Sequence, residues 1–183
     1  MRYAAELRVR DARAQYFAAS GFSTATYTDR WVTLAKLGPL PLGFPNSASR
    51  RRAIPLHDLH HVATEYATTF VGEAEIGAWE VAAGCANHVA AWVLDAGAMA
   101  CGLVLAPRLV YRAFVRGRHS RALYREGWSD ALLELSVGEL RARLGLDAPH
   151  AATARDRFAF AAWVIGFAAP PLLVALAVIH CVQ

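Results

Sequence analysis

Lysine is all but missing from this chain. Lys36 is the only one among 183 residues, so arginine carries nearly all of the positive charge. Charge of either sign is scarce at 19%, while the hydrophobic fraction reaches 56%, a balance tilted towards a membrane or a lipid substrate. The net charge of +4 is too small to argue for nucleic acid, though it suits anionic headgroups or an anionic substrate. Cysteine is sparse too. Cys85, Cys101 and Cys181 have no C-x-x-C spacing and stand in apolar surroundings, which reads as reduced thiols in a cytoplasmic compartment. The N-terminus lacks the apolar run of a signal peptide, and there is no internal repeat. The length suits one domain with a substantial core.

What is present reads as helix. Residues 4–19 have helical character ending near Ser20-Gly21, and their arginines either form a solvated face or touch headgroups. Thr28-Asp29 reads as the cap of a short helix running to Lys36, stopped by Gly38-Pro39. Three prolines and two glycines between Leu37 and Pro45 exclude helix and central strand, which leaves an ordered apolar loop. Pro55 is expected in the first turn of the next helix, Leu56 to Thr68, and a further helix is expected from Gly72 to Ala83. Ala86 to Ala106 is apolar around Asp95, whose cost in lipid argues for a buried core helix. Ser136 and Glu139 form a capping box at the start of a helix ending at Leu144-Gly145.

The chemistry concentrates in His57-Asp58-Leu59-His60-His61 and Glu73. On a helix, His57 and His61 lie one turn apart on one face with Asp58 beside them. A helical hairpin could bring Glu73 back onto that face. Two imidazoles and two carboxylates suit a divalent ion such as zinc, iron or manganese. Glu65, four residues after His61, and Glu80, seven after Glu73, are expected to support the ligands from outside or to ligate. His60 points off the ligand face and reads as a packing or surface histidine. One or two of Arg50, Arg51 and Arg52 could bind a carboxylate or phosphate near the site. Arg108, Arg112 and Arg116 form a stripe that is either a track for headgroups or an acidic substrate, or a solvated face.

The spacing H-D-x-x-H-x11-E, filled by His57, Asp58, His61 and Glu73, resembles the metal signature of the coenzyme Q (ubiquinone) biosynthesis protein 4 family. Gly72-Glu73 with Trp79-Glu80, Arg116-Gly117-Arg118, Leu123-Tyr124, Trp128 and Glu139 to Leu146 are similar to that family in the same order. The resemblance covers roughly residues 20–147. It implies an all-α domain over residues 1–147 that acts on the ring of a polyprenylated hydroxybenzoate. It also implies oxidative removal of the C1 carboxyl group at the membrane, beside other quinone biosynthesis enzymes. Trp79, Trp92 and Phe114 would line a groove for the prenyl tail, or pack as core.

A linker over 148–156 and a transmembrane helix over 157–183 complete the expected fold. Phe158 to Val182 is 25 residues without a charge, against about 20 needed to span a bilayer. The arginines before it place the main body on the cytoplasmic side of the cytoplasmic membrane. The alternative is an apolar core hairpin broken at Pro170-Pro171. Two other functions compete with ring chemistry. A metal-dependent phosphohydrolase needs a histidine upstream of its His-Asp pair, and His57 is the first in the chain. A metal-stabilised membrane scaffold without catalysis would use four protein ligands to close the site. A homodimer is compatible with the apolar helical surface.

Overall fold

The computed structural model describes residues 2–37 and 40–167. Eight helices and one small hairpin make up the described chain. Helix α1 (Val9–Ser20) is closed by Gly21 at φ 73°, whose N–H returns to the Phe17 carbonyl at 2.9 Å. A 3-10 turn over Thr24–Tyr27 leads into strands β1 (Trp31–Leu37) and β2 (Leu40–Pro45), which pair antiparallel.

This hairpin replaces both the short helix expected through Lys36 and the loop expected through Pro45. Trp31, Val32 and Thr33 favour a pleated backbone. In a two-stranded ladder each strand is an edge, and edge strands are where proline is tolerated.

Helix α2 (Ala48–Thr64) starts seven residues before Pro55, because the Ser47 side chain accepts the Arg50 N–H at 3.2 Å and caps it there. It ends at Glu65, which takes the left-handed φ of 67°, earlier than the expected Thr68. Thr69 then caps α3 (Phe70–Ala83) by accepting the Gly72 N–H. Helix α4 (Val89–Leu105) follows; Asp95 is buried, but the helix expected in the core buries one face only and leaves Val89, Val93 and Val104 exposed. Pro107 opens α5 (Pro107–Arg118). The short α6 (Ala131–Glu134) and α7 (Val137–Leu144) come next, and α7 carries the expected capping box at Ser136 and Glu139.

Helix α3 lies at the centre, against both α4 and α5. Its small residues allow this. A Cβ on Gly77 would stand 2.7 Å from the Asp95 carbonyl oxygen, while Gly102 of α4 rests on Ala74 and Gly117 of α5 on the Trp79 carbonyl. The close backbone approach buries α3 on several faces, Glu80 included. Of the aromatics that could line a prenyl groove or pack as core, Trp79 and Phe114 are fully enclosed core.

A last helix, α8, occupies residues 154–167 and begins inside the expected linker. Thr153 and Asp156 make its capping box: the Asp156 carboxylate accepts the Thr153 N–H at 2.9 Å, and the Asp156 N–H returns to Thr153 Oγ1. His119 Nε2 also contacts that carboxylate at 3.0 Å. Further along, Phe160 packs on Tyr111 and Phe114, and Trp163 stacks on Trp92. The described part of the expected membrane span is thus docked on α4 and α5. Among the described residues no helix is long and apolar enough to cross a membrane, against the transmembrane helix expected over 157–183. Residues 168–183, with Cys181 and the Pro170-Pro171 pair, lie outside the described residues.

Candidate metal centre

Helix α2 presents His57 and His61 one turn apart, and α3 brings Glu73 over them from its first turn. The two Nε2 atoms stand 3.1 Å apart. Glu73 Oε2 lies 3.6 Å from His57 Nε2, and Oε1 lies 3.4 Å from His61 Nε2. Ligands about 2.1 Å from one ion are separated by about 3.4 Å in a tetrahedron and about 3.0 Å in an octahedron. The observed triangle falls on that scale.

The hydrogen bonds behind the triangle strengthen it. His61 Nδ1 faces the Tyr66 carbonyl at 3.0 Å, and a carbonyl only accepts, so Nδ1 carries the proton and Nε2 a lone pair. His57 Nδ1 faces both Glu80 oxygens at 3.0 Å. Burial opposes charge on Glu80, but His57 and His60 outweigh it and hold the carboxyl well below its usual range. Glu80 is therefore an acceptor, and His57 Nε2 also turns a lone pair into the triangle. Two facing lone pairs at 3.1 Å need a cation or a shared proton between them. Burial opposes charge on His57 as well, yet Glu80 and Glu73 raise its pKa well above the ordinary value. Glu73 is lowered to about 2 by the same imidazoles, against the effect of its own burial. Two imidazoles and one carboxylate, with the outer nitrogens tied to acceptors, form a set that could hold zinc, iron or manganese.

Asp58, the fourth expected ligand, points elsewhere. Its Oδ2 accepts the Tyr27 hydroxyl at 2.6 Å and its Oδ1 the Tyr16 hydroxyl at 3.4 Å. Burial raises its pKa despite these donors. Tyr16 also stacks on the His61 ring, with centroids 5.4 Å apart. Neither tyrosine carries a signal in the sequence, because both reach the site through the path of the N-terminal segment.

Of the two outer carboxylates expected, Glu80 is in place and Glu65 is not. Glu65 pairs with Arg141 at 2.6 Å and accepts the Tyr3 N–H. The arginine stripe is also away from the site: Arg108 and Arg112 are exposed. Arg116 donates to the Thr64 carbonyl and lies over the Tyr66 ring.

A second group, His57, Glu80 and Asp95, also brings ligand atoms together. Holding an ion there would need His57 Nδ1, which already gives its proton to Glu80. Asp95 is buried beside Glu80, and both burial and that negative neighbour raise its pKa well above the ordinary value. The Cys85 thiol donates to Asp95 at 3.5 Å and closes this buried cluster.

The triangle opens on a cavity of about 610 Å³. His57, Asp58, Glu73, Asp29 and Arg50 line it together with Tyr16, Phe22, Trp31 and Ile54. Arg50 Nη1 donates to Asn46 Oδ1 at 3.1 Å.

No family model matches the chain, and neither a curated protein nor a solved structure matches it. The fold and site describe a helical protein with a two-histidine, one-carboxylate cluster at the end of an aromatic cavity. The family resemblance rests on the residues that spell it.

Proposed function

We propose that this chain is a metal-dependent enzyme that removes the C1 carboxyl group of a polyprenylated hydroxybenzoate oxidatively, as in ubiquinone assembly. The observation that carries the reading is the convergence of His57 Nε2, His61 Nε2 and the Glu73 carboxylate, with His57 and Glu73 lining a cavity that Tyr16, Phe22 and Trp31 also line. These three residues would hold the ion. Iron or manganese would supply redox and Lewis-acid chemistry when bound, whereas zinc would only polarise.

The overall change breaks the bond from C1 to the carboxylate and forms a C1–oxygen bond. One dioxygen, two electrons from a reductant and three protons give the phenol, carbon dioxide and water. The chain's own residues position and protect. Glu80 orients His57, and the Tyr66 carbonyl orients His61. Tyr16, Phe22 and Trp31 supply ring faces that exclude water. Asp58, between two phenolic hydroxyls on the cavity wall, stands where it can exchange a proton with the ring acid. A prenylated substrate resides in lipid, so the protein would meet it at a membrane surface.

With three protein ligands an ion here would keep positions for a substrate, and this favours catalysis over a closed scaffold site. The test is elemental analysis of the purified protein beside Glu73→Ala, followed by an assay of carboxyl loss from a prenylated hydroxybenzoate with dioxygen and a reductant. One redox-active equivalent, absent from the variant, with product formed, supports the reading. Tightly held zinc without turnover points to the scaffold. A wild-type protein that takes up no metal overturns both.

A further inference from the structure

The first turn of α3 and the last turn of α4 meet at one end of the molecule. Gly77 lies against Asp95 and Ala74 against Gly102, so the two helices run antiparallel. Phe70, one turn before Ala74, therefore comes level with the residues just past Gly102. Phe70 is 80% exposed and Val104 84%, and Leu105 and Leu109 are exposed as well. Apolar side chains this open and this close together mark a contact surface. The charge around them has one sign. Helices α4 and α5 carry four arginines and a single acid, the buried Asp95. Arg108 and Arg112, one turn apart on α5, are exposed and have no partner among the described residues. The cavity of the metal centre reaches the surface close by. Phe22, Trp31 and Thr68 are exposed members of its lining, and Thr68 is two residues from Phe70.

Resting on the function proposed above for the choice of a lipid, we propose that this end of the molecule docks on an anionic bilayer. Phe70, Val104, Leu105 and Leu109 enter the boundary between headgroups and acyl chains, and Arg108 and Arg112 meet lipid phosphates. Anionic headgroups complement helices that expose arginine and no acid. A second copy fits less well, because a twofold contact through this end sets the same arginines against each other. The seat is shallow. Apolar side chains at helix ends reach about 5–10 Å into the interface, and neither helix has to cross it. Docked in this way, the protein brings the Trp31 indole to headgroup level, where such rings settle. A prenylated acid then passes from the leaflet into the cavity without crossing water.

The test is flotation of the full chain with vesicles of phosphatidylcholine and phosphatidylglycerol, beside vesicles of phosphatidylcholine alone. The wild type should bind the anionic vesicles at least about tenfold more tightly, and salt should release it. Phe70→Asp and Val104→Asp should each lower binding about tenfold or more. Arg108→Gln and Arg112→Gln should each lower it about fivefold, on anionic vesicles alone. Val89→Asp, at the exposed far end of α4, should change nothing. A wild type that ignores both vesicles overturns the inference, and so does Val89→Asp weakening binding as much as Phe70→Asp. A dimer in sedimentation equilibrium that Val104→Asp splits would give the surface to a second copy instead. Should the aspartate variants fail to fold, quenching by brominated lipid decides. Trp31→Phe should remove much of the quenching seen in the wild type, and quenching left intact overturns the docking. No metal or substrate enters these measurements, so their failure leaves the metal centre standing, and loss of the metal centre leaves this surface standing.

Discussion

His60 accepts the Leu123 backbone N–H on Nε2 at 2.9 Å, which leaves its proton on Nδ1, facing Glu80. A histidine off the ligand face thereby fixes the carboxylate that fixes His57. His60→Ala should keep the metal stoichiometry but lower stability by about 2–4 kcal/mol, since it leaves a buried carboxylate short of a donor and an N–H unpaired. Chemical denaturation measures this. His61→Ala should lose the metal outright, and equal retention by the two variants would contradict the ligand set.

Glu80→Gln keeps the shape of the outer group and removes its charge. Metal affinity, read by competition with a chelator, should fall about 10–100-fold while the number of ions bound stays at one. An unchanged affinity would mean that His57 does not lean on Glu80.

Metal uptake must displace the proton that the raised pKa of His57 keeps in the triangle. Affinity should therefore climb with pH, about tenfold per unit, until His57 deprotonates without the ion, and level off above that point. A flat profile through neutral pH would exclude a proton shared between the two imidazoles.

The carboxyl of Asp156 is also depressed: burial would raise it, but Thr153 and His119 prevail. A lowered folded-state pKa stabilises above the unfolded value of about 3.9 and is lost as pH falls through the folded one. The protection of α8 against hydrogen exchange, taken relative to the intrinsic amide rate at each pH, should be steady above about pH 5 and fall in acid below the unfolded pKa. In Asp156→Asn the protection should be low already at neutral pH, with the acid step gone.

Gly117→Ala places a methyl group against the Trp79 carbonyl, and neither backbone can yield without moving α5 from α3. Stability should drop by about 1–3 kcal/mol. A neutral result in thermal unfolding would show that the contact has slack.

The sequence made the ligands legible where local periodicity suffices. His57 and His61 share a face on any helix, and Glu73 needs only a tight hairpin to join them. Asp58 follows the same arithmetic but is turned aside by Tyr16 and Tyr27, whose approach depends on the path of the N-terminal segment. The β-hairpin was hidden because its prolines exclude a central strand yet are tolerated in an isolated ladder. Glu65 shares the four-residue spacing but falls at the left-handed end of α2, where Arg141 claims it. The apolar run after Phe158 looks like a span by length, while Asp156 and the stacked Trp163 show its described part docked on the helical body.

The glycine contacts around α3 reach beyond packing. Gly77, Gly102 and Gly117 fix the backbone of α3 against α4 and α5, whereas Glu73 reaches the site through a side chain that is partly exposed. The two imidazoles on α2 are each tethered through the outer nitrogen. Two fixed nitrogens are thus met by one adjustable oxygen arm, a donor set that suits zinc, iron or manganese better than calcium, which takes oxygen ligands.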